Sequence, residues 1–206
     1  PVANSIDVST DYWKRSASAP LAIAIRTGEK QREWIGRNPW TYTLSPHRVT
    51  FESRDEEVSY QATYEFCKNQ PAMVFSFTVK NMTERALQVE LYTHLLVALR
   101  TCQTYARRDS AWTDYDSALS TLGIHFDDAD TKRATVFVQN FGTMPVEWTS
   151  SAEEMSVTDS GFSNWASTNG NRLQGKLHSA TKGRPVAAFV YRKNLNAGQS
   201  MTIVQG

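Results

Sequence analysis

The chain has 206 residues, 22 basic and 21 acidic, for a net charge of +1 and a hydrophobic fraction of 40%. That balance excludes a global field able to gather nucleic acid or an anionic membrane, and without long charged or Gly/Ser tracts the sequence reads as one folded domain over residues 1–206. The longest apolar runs fall short of the roughly 20 residues needed to span a bilayer, and two cysteines, Cys67 and Cys102, are too few for a disulfide framework. The N-terminus lacks the basic-then-apolar profile of a signal peptide, which leaves the compartment open.

In chain order, residues 21–26 (LAIAIR) predict a first short strand, followed by a loop in which Trp34 and Trp40 bracket Gly36, Arg37, Asn38 and Pro39. Residues 41–44 and 48–53 read as further short strands. In Val58, Tyr60, Ala62, Tyr64 and Phe66 every second residue is apolar, with Ser59, Gln61, Thr63 and Glu65 between them, which is a half-buried strand. After Asn69-Gln70-Pro71 comes a run with Met73, Phe75, Phe77 and Val79 on one face. A turn over residues 81–85 then leads to Leu87, Val89 and Leu91 on one face and Gln88, Glu90 and Tyr92 on the other. Three consecutive antiparallel strands are expected here, the last two forming a hairpin hinged on 81–85.

Apolar character continues on both faces through Leu95 to Leu99, so the third run predicts a strand covered on both sides or bending between sheets. Residues 122–126, 134–139, 146–149, 187–192 and 201–204 also read as strands. Only residues 116–122 suit a helical turn or two. Residues 159–185 are polar, contain Gly161, Gly170, Gly175 and Gly183, and are too long for a plain hairpin loop. The sequon Asn81-Met82-Thr83 falls on the 81–85 turn, where a glycan is one expectation and an ordinary turn the other.

Chemistry-bearing residues are dispersed. His94 alternates with Tyr92 and Leu96 on the outer face of the long strand, where a sheet floor presents side chains to a cleft; a mid-strand histidine bonded to a neighbour is the structural alternative. His47, His125 and His178 lie apart from it without metal-ligand spacing, and Asp127-Asp128-Ala129-Asp130 lacks the later ligands of a calcium loop. No metal or other cofactor is therefore expected. Six tryptophans suggest another chemistry. Trp34, Trp40, Trp112 and Trp165 stand beside Asn, Asp or Arg residues, and an aromatic face next to such groups suits a sugar ring, which offers an apolar face and a rim of hydroxyls. With Tyr92 and His94 they make the candidate binding set, against the alternative that the rings plug the sandwich.

The strand ending in Phe66-Cys67, the segment Gln70-Pro71-Ala72-Met73-Val74 leading to Phe77-Thr78-Val79-Lys80-Asn81-Met82-Thr83, and Leu87 to Leu91 resemble the N-terminal super-sandwich domain of glucoamylases, glucodextranases and disaccharide phosphorylases, whose fold is similar to galactose mutarotase. Ala187-Ala188-Phe189-Val190-Tyr191 followed by Leu195-Asn196-Ala197-Gly198-Gln199-Ser200 is similar to its closing strands. The resemblance implies an all-β antiparallel super-sandwich with little helix. It also implies a noncatalytic domain that packs on a catalytic (α/α)6 barrel, in the same chain or another, with carbohydrate or self-association as further partners. Two alternatives stay open: a small aldose epimerase using His94 and a nearby carboxylate, and an immunoglobulin-like adhesion module.

Overall fold

In a computed structural model, which describes residues 21–30, 33–34, 39–96, 110–127, 133–151, 172–178 and 185–206, every regular element is a β-strand. They are β1 (Leu21–Thr27), β2 (Glu33–Trp34), β3 (Thr41–Ser45), β4 (Arg48–Arg54), β5 (Val58–Phe66), β6 (Met73–Asn81), β7 (Leu87–Leu96), β8 (Ser110–Asp116), β9 (Thr121–Asp127), β10 (Arg133–Gly142), β11 (Glu147–Thr149), β12 (Val186–Leu195) and β13 (Ser200–Gln205). They form two antiparallel sheets, an eight-stranded one in the order β3-β4-β5-β6-β13-β10-β9-β8 and a five-stranded one in the order β11-β12-β7-β1-β2.

The period-two runs account for the core between the sheets. Tyr60, Ala62, Tyr64, Phe75, Phe77 and Val79 from the larger sheet meet Val89, Leu91, Phe189 and Tyr191 from the smaller, all buried in one cluster. Removing these side chains from water is the main driving force available to an all-strand chain. The core also holds polar groups. Tyr191 donates to Asn140 Oδ1, and Gln205 Nε2 reaches Tyr191 Oη at 2.9 Å, Thr93 Oγ1 at 3.1 Å and Asn140 Oδ1 at 3.1 Å. This network ties β7 and β12 of one sheet to β10 and β13 of the other, and its satisfied members fix one register.

The expected hairpin over residues 81–85 is corrected: β6 and β7 lie in different sheets, β6 pairing with β5 and β13, and β7 with β1 and β12. The β12–β13 connection crosses between the sheets in the same way, and the two corners are bonded together. Asn81 N donates to Gln199 O at 2.9 Å, and Gly198 N to Asn81 O at 3.1 Å. The fully buried Asn81 side chain donates from Nδ2 to Arg85 O (2.7 Å) and Leu195 O (3.0 Å), while its Oδ1 accepts from the Thr83 amide (2.9 Å) and hydroxyl (2.8 Å). The glycan expectation falls with this geometry, because Nδ2, the atom that would carry a sugar, is enclosed and already donating to two carbonyls.

Over its described part the long strand is covered on both sides, while residues 97–99, which also prompted that expectation, lie outside the described residues. β7 is central in its sheet, and its outer-face Tyr92 is buried with Ala24, Val186, Ala188, Val190 and Leu173. Leu173 comes from 172–178, part of the polar stretch, which runs beside β11 with Gly175 N donating to Trp148 O (2.9 Å) and Ser150 N to Lys176 O (2.9 Å). Gly175 has φ +72, and a Cβ there would sit 3.3 Å from the Trp148 ring, whose other neighbour is Tyr115 at 4.0 Å. Gly175→Ala is expected to cost about 1–2 kcal/mol from the left-handed backbone alone, measured as a lowered midpoint in urea.

Residues 116–122 are not helical. They hold the end of β8, the turn over 117–120 and the start of β9, and there Asp116 Oδ1 accepts from the amides of Ala118 (2.8 Å) and Leu119 (3.1 Å) and Ser120 takes φ 49. An aspartate binding the amides two and three residues on satisfies a tight turn as well as it caps a helix. The short β2, read as loop, and β8 are additions to the predicted strands.

Candidate functional site

Tyr92 and His94 share the outer face of β7 with Glu90, as alternation requires. Glu90 is only 3% exposed. It lies opposite Arg26 on β1 and Arg192 on β12; Arg26 binds Oε1, Arg192 Nε lies 3.2 Å from Oε2, and the Tyr92 hydroxyl also donates to Oε2. Arg192 continues to Glu147 Oε1 on β11 at 2.7 Å, and Glu147 Oε2 accepts the Leu173 amide at 2.9 Å. Cation and anion thus alternate across four strands. Burial on its own raises the Glu90 pKa, but the hydrogen bonds from Tyr92 and Arg26 and the charge of Arg192 outweigh it and hold the carboxyl below its ordinary range. This ionic row fastens β1, β7, β12 and β11 together.

His94 is fully buried, and desolvation pushes its pKa down to about 3, so the ring is neutral near pH 7. It stands four residues from Glu90 on one strand, roughly 13 Å along it. The geometry therefore separates the imidazole from Glu90, whose carboxylate is already bound to two guanidinium groups.

The other candidates scatter. Trp40 is half-buried, packs against the main core and tilts toward Tyr60 at 6.3 Å. Trp34 is placed in β2 opposite Ala24 of β1. Trp165 lies outside the described residues, as does Cys102; Cys67 is an exposed free thiol. His178 is buried, with its amide donating to Thr113 Oγ1 and Ser150 Oγ, each at 2.8 Å.

Trp112 differs from these. It is 44% exposed on β8, the terminal strand of the larger sheet, and its indole stacks on His125 of β9 with centroids 3.8 Å apart. His125 Nε2 lies 3.1 Å from Asp114 Oδ2, and Nδ1 lies 3.1 Å from Thr135 Oγ1. Phe137 meets the imidazole edge-on at 6.2 Å and is 62% exposed. Six residues thus tile three strands: Trp112 opposite His125 opposite Thr135, and Asp114 opposite Gly123 opposite Phe137. The sequence pointed to Trp112 beside an acidic residue, now placed as Asp114, but left His125, Gly123, Thr135 and Phe137 unconnected to them. The available signal was the shared parity of Gly123 and His125 in a strand, and of Thr135 and Phe137 in the next. Among the described residues no three of His, Cys, Asp and Glu gather to hold a metal ion, and no helix is long and apolar enough to cross a membrane.

Eight strands facing five, with the chain crossing between sheets at paired corners, make this an all-β antiparallel super-sandwich. No protein-family model matches the sequence, and the curated proteins give no match. Solved structures do. A protein assigned as a kojibiose phosphorylase, from the human microbiome, is similar with a TM-score of 0.52 and 9% identity over 89% of this chain and 21% of its own. Polysaccharide lyase BACCELL_00875 gives a TM-score of 0.46 and 10% identity over 90% of this chain and 24% of its own. The chain thus spans about a fifth of the phosphorylase-like structure, and at this identity the likeness is one of fold. The resemblance to the super-sandwich domain holds at that level.

Proposed function

We propose that this chain is a noncatalytic β-sandwich domain of, or accessory to, a carbohydrate-active enzyme of the glycoside hydrolase or phosphorylase kind, packing on a catalytic domain and contacting carbohydrate. The observation that carries the reading is the fold match over 89% of this chain to only 21% of a far longer chain assigned as a kojibiose phosphorylase. A module so placed has its own core and forms a minor part of a larger sugar-processing protein.

Side-chain geometry supports the same reading. The acid and bases on the outer face of the five-stranded sheet are engaged in holding strands together, and His94 is sealed from substrate. The epimerase alternative needs a reachable imidazole and a free carboxylate within hydrogen-bond range of one sugar, which the described residues of this face do not offer. The immunoglobulin-like alternative suits seven to nine short strands, whereas β7, β10 and β12 each run for 10 residues within sheets of eight and five. Exposed apolar side chains mark where another domain would pack: Tyr42 (67%) and Leu44 (69%) lie on edge strand β3.

The test is retention on a glycan array, with each of Trp34, Trp40 and Trp165 changed in turn to alanine. Expected is binding to neutral oligosaccharides, with Trp40→Ala acting through stability because that ring packs on the core. A chain that retains no glycan, in a preparation shown to be folded, contradicts the carbohydrate contact.

A further inference from the structure

We infer that the outer face of β8, β9 and β10 is the contact site for a neutral sugar ring, with Trp112 as its stacking platform and Asp114 as its hydrogen-bond acceptor. This inference rests on the carbohydrate reading proposed above and gives it an address. One face of the Trp112 indole lies on His125. Among the described residues β8 ends the sheet, no further strand stands beside the opposite face, and Trp112 is 44% exposed. That face is an apolar plate of the size a pyranose covers with its axial hydrogens, while the ring's hydroxyls need acceptors at the plate's border.

Asp114 supplies one. It is two residues along on the same face of β8, its side chain is 58% exposed, and Oδ2 is bound to His125 while Oδ1 is not part of that pair. Gly123 makes the arrangement possible. A Cβ at this position would lie 2.3 Å from Asp114 Oδ1 and 2.9 Å from His125 Nε2, so only glycine lets the carboxylate lean across β9 to the imidazole. His125 has both ring nitrogens engaged, one with Asp114 and one with Thr135, and so acts as a positioning residue that holds the indole and the carboxylate in fixed relation. Beneath the tile, Ala111, Thr113, Leu122, Ile124 and Val138 are buried, which makes the platform rigid before a ligand arrives. Among the described side chains the charges at the border are those of Asp114 and, beyond it, Asp116, which favours neutral sugars over uronates.

The experiment is NMR titration of the 206-residue chain with cellotetraose, maltotetraose and tetragalacturonate, observing indole N–H resonances and the His125 side-chain nitrogens. Trp112→Ala identifies its own indole signal and, being at an exposed position, should keep a dispersed spectrum. Expected is a shift of the Trp112 signal by at least one neutral tetrasaccharide, none by tetragalacturonate, and an affinity loss of about tenfold or more in Trp112→Ala. Gly123→Ala should move the His125 nitrogens before any sugar is added, since Asp114 must leave, and weaken binding with Trp112 intact. Binding that survives both substitutions within twofold puts the sugar elsewhere and overturns this inference while leaving the proposed function standing. No shift of any resonance by either neutral sugar overturns this inference and the carbohydrate contact in the proposed function together.

Discussion

Replacing Asn81 with alanine lowers the unfolding free energy by about 3 kcal/mol, read from urea denaturation followed by tryptophan fluorescence. The side chain is fully buried, and one Nδ2 group serves two carbonyls, Arg85 O in its own corner and Leu195 O in the other. Alanine leaves both acceptors without that donor and releases the Thr83 amide and hydroxyl from Oδ1. Each buried polar group left unsatisfied costs about 1–3 kcal/mol. Asn81→Asp discriminates the role of the donor: it preserves an acceptor for Thr83 but turns an oxygen toward two carbonyl oxygens, so its cost near neutral pH is at least that of alanine. Thr83→Ala removes one hydroxyl from a partly exposed position and is expected to cost about 1 kcal/mol. Equal, small effects for all three would show that the corners are held by their backbone bonds alone.

Glu90→Ala is the second large loss, about 2–3 kcal/mol, because it leaves two guanidinium groups and the buried Tyr92 hydroxyl without their shared acceptor. The arginine side chains retain 27% and 30% exposure, so water recovers part of their solvation and keeps the cost below that of a fully enclosed pair. The same carboxylate confers acid sensitivity. Its folded pKa lies below its ordinary value, so its stabilisation is present above the unfolded carboxyl pKa and disappears as pH falls through the folded one. Glu57, held low chiefly by Lys30, acts in the same direction. Stability measured from pH 6 downward should therefore drop below about pH 4.5, and Glu90→Gln should flatten that drop while lowering the plateau above it. An identical slope in wild type and Glu90→Gln would remove Glu90 from the acid response.

The strands were legible because two-residue alternation is a property of the chain itself. Val58, Tyr60, Ala62 and Tyr64 form one apolar face in sequence and one buried face in the structure, while Phe66, at the end of the same run, is exposed. Sheet membership was less legible. The Asn-Met-Thr turn reads equally as a hairpin loop or as a corner between sheets, and what decides is Leu195, 114 positions further on, whose carbonyl Asn81 reaches. β8 was hidden because its inward face is Ala111, Thr113 and Tyr115, so a buried hydroxyl interrupts the apolar pattern that marks the other strands. The tile around Trp112 was legible only in fragments. Gly123 reads as punctuation in a strand, and its purpose emerges once Asp114 is seen opposite it. His94 illustrates the converse: its outer-face position was readable by parity, but the cover supplied by 172–178 to that face was not, since it depends on a chain segment remote in sequence.

The reading of this domain as one that binds without turning over sugar is tested most directly by polarimetric and product assays of the purified chain. Anomer interconversion of glucose and galactose, and hydrolysis and phosphorolysis of neutral disaccharides, are measured for wild type and His94→Ala. The account predicts background rates for both proteins in every assay. A wild-type rate above background that His94→Ala abolishes, in a variant that remains folded, would contradict it.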